Sequence, residues 1–244
     1  MKNKLILLVL ALAFSSGACK QAPIASEKPR LTREVYSIDA EAFTAAEVAP
    51  PPAADSEVQK TDIAVVRDWQ KKRTQADCVR AEASGGFNYA DLWGANDPFR
   101  RPLPAELTEF FASLHIQLKQ TANTHKIRYG RLRPYQAYAD IKPCVEAPAS
   151  GSYPSWHACF SRFFADMLGD IVPERKKEFK KAAEEIELSR LIGGVHYPTD
   201  TEAGEDLAKD IHKRLLKSPG YLKAINDAKT FLVNPKIADE IASH

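Results

Sequence analysis

The stretch from Tyr153 to Val172, "YPSWHACFSRFFADMLGDIV", decides the fold. Phe160, Phe163, Phe164, Met167, Leu168, Ile171 and Val172 recur at three- and four-residue intervals, the spacing of one helical face. So aromatic a stripe reads as core. Upstream of it, Leu107, Phe110, Phe111, Leu114 and Leu118 keep the same period, and downstream Ala208, Ile211 and Leu215 do so again. Between these segments, "IVPERKKEFKKAAEEIELSRLIGG" (171–194) sets charges against Ile, Leu and Ala and closes on a Gly pair suited to a helix C-cap. No sustained apolar–polar alternation argues for strands. The expectation is one all-α domain over residues 56–244, long enough to bury a sizeable core.

The chain begins with two lysines, an apolar run from Leu5 to Phe14, and small residues. That run is too short for a bilayer span, and the pattern reads as a secretory signal peptide over residues 1–18. Cys19 after the cleavage point makes it a candidate for lipidation, although Ser16 stands where a lipobox has Leu or Val. Residues 19–55, polar and ending near Pro50, Pro51 and Pro52, read as a linker or an extended arm. Loss of Lys2 and Lys4 with the leader takes Lys plus Arg from 34 to 32, against 32 Asp plus Glu. A neutral chain lacks the basic excess that nucleic-acid binding needs, so nucleic acid is not an expected partner. No later segment is apolar enough to cross a membrane.

Chemistry begins with the histidines. His115, His125 and His212 are assigned to helical surfaces. In "SRLIGGVHYPTD" (189–200), His196 and Asp200 are four residues apart, so the carboxylate can hold one imidazole nitrogen and leave the other as base or nucleophile. "HKIRYGRLRPYQ" (125–136) brings Lys126, Arg128, Arg131 and Arg133 together, and Arg133-Pro134 reads as a helix end presenting a guanidinium to an anion. In "YPSWHAC" (153–159), Pro154 suits a first helical turn, where free N–H groups favour an anion. Each signal alone is weak.

Together, Lys126 with Arg133-Pro134, then Pro154-Ser155-Trp156-His157, then Ser189-Arg190 with His196 and Asp200, resemble the three-part signature of the phosphatidic acid phosphatase type 2 superfamily. Within it, the order is most similar to the bacterial class A non-specific acid phosphatases, over roughly residues 50 to 232. The resemblance implies a helical bundle of the acid phosphatase/vanadium haloperoxidase type and an exported enzyme that hydrolyses small phosphomonoesters without metal or other cofactor. Homo-oligomers are common among such proteins. It implies that His196 is the nucleophile, Asp200 its orienting carboxylate and His157 the acid for the leaving group. Lys126, Arg133 and Arg190 would bind the phosphate oxygens, with Ser155 and the backbone N–H of Trp156.

Trp156 departs from the pattern, which has glycine there. The indole is expected to wall the substrate pocket, to shift the loop and weaken phosphate binding, or to mark a relative that binds without catalysis. Relatives often carry a cysteine before the nucleophile; here Gly193-Gly194 takes that place, and Cys78 and Cys144 become the candidate disulfide, with Cys159 read as core. A vanadium haloperoxidase is the alternative enzyme, against which the short chain argues. A membrane lipid phosphatase would need spans that the chain lacks.

Overall fold

The computed structural model describes residues 36–86 and 88–232. The leader, the lipidation candidate Cys19 and the arm before residue 36 lie outside the described residues. The described chain is all-α, in ten α-helices joined by loops and two short 3-10 turns: α1 Glu41–Thr44, α2 Glu57–Lys72, α3 Gln75–Ala83, α4 Tyr89–Trp93, α5 Ala105–Tyr129, α6 Pro134–Ala137, α7 Trp156–Ile171, α8 Lys176–Ile192, α9 Pro198–Leu215 and α10 Pro219–Lys229. Among these residues the extended pairing is a lone bridge between Phe99 and Leu232.

Helix α7 is the centre. Its aromatic stripe is joined in burial by Ala158, Cys159, Ser161, Ala165 and Gly169, so it is enclosed nearly all round. Helix α5 covers it with Leu107, Phe110, Phe111, Leu114 and Leu118, α8 with Phe179, Ala183 and Ile186, and α9 with Leu207, Ala208, Ile211 and Leu215. Burying a Leu or Phe side chain contributes about 1.5–3 kcal/mol, so this shared interior outweighs any local propensity. At Gly204 on α9, a Cβ would stand 2.4 Å from the carbonyl oxygen of Ser155 and 3.0 Å from the backbone nitrogen of Cys159. That close approach lets the start of α9 bond the start of α7: the Ser155 N–H donates to the Asp200 carbonyl at 2.8 Å.

Four readings of the sequence are corrected. The 19–55 linker or arm does more than cross the surface: Ala42 and Phe43, on a helix of one turn too short to show a period, and Ala46 just after it enter the main core. The carbonyls of Ala46, Val48 and Ala49 then accept bonds from His125, Tyr129 and Tyr153. This strap buries His125, and α10 helps to bury His212 through Tyr221, so neither histidine lies on a surface. Helix α5 ends at Tyr129, where Gly130 takes a left-handed φ of 59° as C-cap; Arg133 instead opens α6. Pro154 precedes α7 rather than starting it, because Ser155 takes the N-cap and its Oγ accepts the Ala158 N–H at 3.3 Å.

Candidate active site

Four helix termini converge on one pocket. Lys126 comes from the last turn of α5, Arg133 from the start of α6, His157 from the first turn of α7 and Arg190 from the last turn of α8. With His196 and Trp156 they line a cavity of about 110 Å³. The cations are held by carbonyls. Lys126 Nζ donates to Gly151 O at 2.8 Å and to Ser152 O at 3.2 Å. Arg133 donates from Nε to Ser150 O and from Nη1 to Val195 O, both at 2.8 Å. Arg190 donates from Nη2 to Ala81 O and from Nε to Ser189 Oγ. Fixed in this way, the charges meet an incoming anion with little reorganisation.

His196 sits before α9 and is buried. Its Nδ1 is 3.1 Å from Asp200 Oδ2, and its Nε2 is 3.1 Å from Arg133 Nη1. A guanidinium only donates, so Nε2 carries a lone pair and Nδ1 carries the proton. His196 thus brings an unprotonated ring nitrogen to the pocket it lines. Asp200 is saturated: Oδ2 also accepts from the Tyr197 N–H at 2.8 Å and from Ser152 Oγ, and Oδ1 accepts from Arg131 Nη1 at 2.6 Å.

Burial and the neighbouring cations set the proton affinities. Burial pushes His196 well below its ordinary value, helped by Arg133 and Lys126. His157 falls to about 3 through burial and then the Arg190 charge, while its bond to Gly85 O pulls the other way. Lys126 drops to about 7 through burial and then Arg133, and burial lowers Arg190 to about 10. Every lowering cause except burial is a like charge, which an anion in the pocket would offset.

Of the residues singled out in the sequence, six face the pocket: Lys126, Arg133, Trp156, His157, Arg190 and His196. Asp200 stands behind His196. Ser155 does not line the cavity; its hydroxyl is spent on capping α7. Cys78 and Cys144 form a disulfide, with Cα atoms 5.7 Å apart, and Cys159 is a buried free thiol. Arg131, Ser152, Asp62 and Ser150 were given no role. Arg131 was visible only as one cation among four, and no spacing shows that its side chain turns from the pocket toward Asp200.

Comparison with known proteins follows this geometry. A model of the PAP2 superfamily matches residues 107–208, which include Lys126 through Asp200. The non-specific acid phosphatase of Providencia stuartii is 31% identical over 193 residues, covering 74% of this chain and 77% of that protein. The chain belongs to the PAP2 superfamily. A second PAP2 relative, the non-specific acid phosphatase of Salmonella typhi, is 35% identical over 109 residues, 43% of each chain. The fold is similar to a bacterial vanadium-dependent iodoperoxidase, with a TM-score of 0.56 and 20% identity over 74% of this chain and 54% of that one. At that identity the likeness concerns the PAP2-type helical fold alone.

Proposed function

We propose that this PAP2 protein is an acid phosphatase that hydrolyses small phosphomonoesters through a phosphohistidine on His196. The observation that carries the reading is the His196 tautomer: Nδ1–H held by Asp200, Nε2 lone pair toward three buried cations. The similarity to proteins named non-specific acid phosphatase supports it.

Substrate phosphate oxygens take the hydrogen bonds of Lys126, Arg133 and Arg190, and the Arg133 Nη1–H, still on its nitrogen, turns its hydrogen bond from His196 Nε2 to the phosphate. Nε2 then attacks phosphorus in line. The N–P bond forms as the bond to the leaving oxygen breaks, and His157 gives that oxygen its proton. Asp200 supports the imidazolium charge that develops on His196. Water attacks next, loses its proton to His157, and the N–P bond breaks to release phosphate. Charge spread over three equatorial oxygens needs positioning and fixed cations above all. Bound phosphate raises His157 from its low value, which makes the acid step available under mildly acidic conditions.

The leader over residues 1–18, with Cys19 as lipidation candidate, supports export to the periplasm. The Cys78–Cys144 disulfide fits an oxidising compartment. Among the described residues no helix is long and apolar enough to cross a membrane.

Rapid quench in alkaline detergent during turnover of a radiolabelled phosphomonoester tests the mechanism. The expected result is an acid-labile, base-stable phosphoprotein in the wild type and none in His196→Ala. Turnover that persists undiminished in His196→Ala overturns it.

A further inference from the structure

Helix α3 contributes little to the core. Of its nine residues only Cys78 and Ala81 are buried, and Val79 is 61% exposed. Yet its last turn and the residues after it touch the active site twice. Ala81 O, a carbonyl of the last helical turn, accepts from Arg190 Nη2. Gly85 O accepts from His157 Nε2 at 3.3 Å. The C-terminal end of a helix carries about half a negative charge, so the Arg190 guanidinium and the His157 N–H both meet a favourable potential there. The fit is close: a Cβ on Gly85 would lie 2.9 Å from Glu82 O and 3.3 Å from Arg190 Nη1.

Polar ties hold this helix in place. Cys78, one turn before Ala81, is bonded to Cys144, and the Cys144 N–H donates to Gly193 O at 3.0 Å, in the turn between Arg190 and His196. Glu82 Oε2 accepts the Glu146 N–H at 2.9 Å on the same loop. Arg73, just before α3, donates to Ile192 O at 2.6 Å.

We infer that the Ala81–Gly85 end of α3 is a positioning element for the acid His157 and the phosphate-binding Arg190, and that the Cys78–Cys144 disulfide is its tether. The inference rests on the phosphatase reading above. Its chemical signature follows from what His157 would do. A leaving group that departs easily, such as p-nitrophenolate, needs its proton little, whereas an alkoxide needs it greatly. A displaced α3 therefore costs alkyl phosphates more than p-nitrophenyl phosphate.

The test compares kcat/KM for p-nitrophenyl phosphate and glycerol 2-phosphate, in the wild type with the disulfide intact, after phosphine reduction, in Cys78→Ser/Cys144→Ser and in Gly85→Ala. Far-UV circular dichroism and thermal unfolding follow the fold of each. The expected result is a loss on glycerol 2-phosphate roughly tenfold larger than on p-nitrophenyl phosphate, with helical content retained. Equal losses on both substrates, or no loss in any of the three perturbed forms, overturn the inference and leave α3 a packing element. Wild-type protein that turns over neither substrate, or activity independent of His196, would instead overturn the phosphatase reading. Gly85→Ala keeps the disulfide, so it tests the positioning even where the cysteine variant fails to fold.

Discussion

Arg131 Nη1 lies 2.6 Å from Asp200 Oδ1, the carboxylate oxygen that His196 does not use. The other end of the guanidinium reaches Asp62 Oδ2 at 2.7 Å and Gln59 Oε1 at 2.6 Å. Arg131, Asp62 and Asp200 are all buried. Arg131 is thus the middle member of a buried ionic chain that ties Asp200 to Asp62 on α2. Removing one member of such a chain leaves an uncompensated charge, at about 3–5 kcal/mol. Arg131→Met is expected to lower unfolding stability by that amount, measured by urea denaturation, and to cut kcat by roughly a hundredfold or more as Asp200 loses its seat. Arg131→Lys, with one donor group in place of the fork, should recover charge but only part of the activity.

His157 links the site to acid stability. Its folded value is about 3, against an ordinary value of 6.5. Between those pH values the unfolded chain holds a proton that the folded chain lacks, so stability rises with pH across that window. Below it the full penalty of charging a buried imidazole is present; above it the penalty is gone. His157→Asn should flatten the rise. Thermal unfolding from pH 3 to 6.5 checks this, and an unchanged slope in the variant would refute the assignment of that slope to His157.

Trp156 is packed rather than dangling. Its ring centroid is 5.5 Å from His115, 5.3 Å from Phe160 and 4.7 Å from His157, and the residue is 7% exposed. Truncating a buried tryptophan costs about 3–5 kcal/mol, so Trp156→Gly should lower the unfolding midpoint clearly. The same change opens the wall of the pocket and restores the signature glycine. Turnover of p-nitrophenyl phosphate is expected to rise, and steady-state kinetics showing equal or lower turnover would rule out Trp156 as a handicap.

Glu187 supplies a contrast in sign. Burial and the adjacent Glu205 push its carboxyl up to about 9, from an ordinary 4.5, while Arg162 bonds Asp166 and Glu205 beside it. Here the folded chain holds the proton that the unfolded chain releases, so stability falls as pH rises from 4.5 toward 9. Glu187→Gln keeps the shape without the charge. Its stability should vary less over that window, and it should exceed the wild type at the alkaline end, as read by chemical denaturation at a series of pH values.

The helical class was legible because Phe160 to Val172 and Leu107 to Leu118 repeat at helical intervals, and period depends only on order along the chain. The pocket residues were legible because phosphate chemistry needs particular groups, and Lys126, Arg133, His157, Arg190 and His196 keep their spacing in the sequence. What spacing cannot encode is direction. Arg131 and Arg133 are two residues apart, yet one guanidinium turns to Asp200 and the other to the pocket, because a loop follows the Gly130 cap and has no period to read. Ser155 kept its place in the signature, but the demand of α7 for an N-cap took its hydroxyl. His125 and His212 looked exposed until a strap and a final helix, distant in sequence, covered them. The sequence by itself determined which chemical groups this protein carries and the helices on which most of them ride. Only the tertiary structure decided which of those groups share a pocket and which share a carboxylate, because burial and hydrogen-bond partners are set by contacts between segments far apart in the chain.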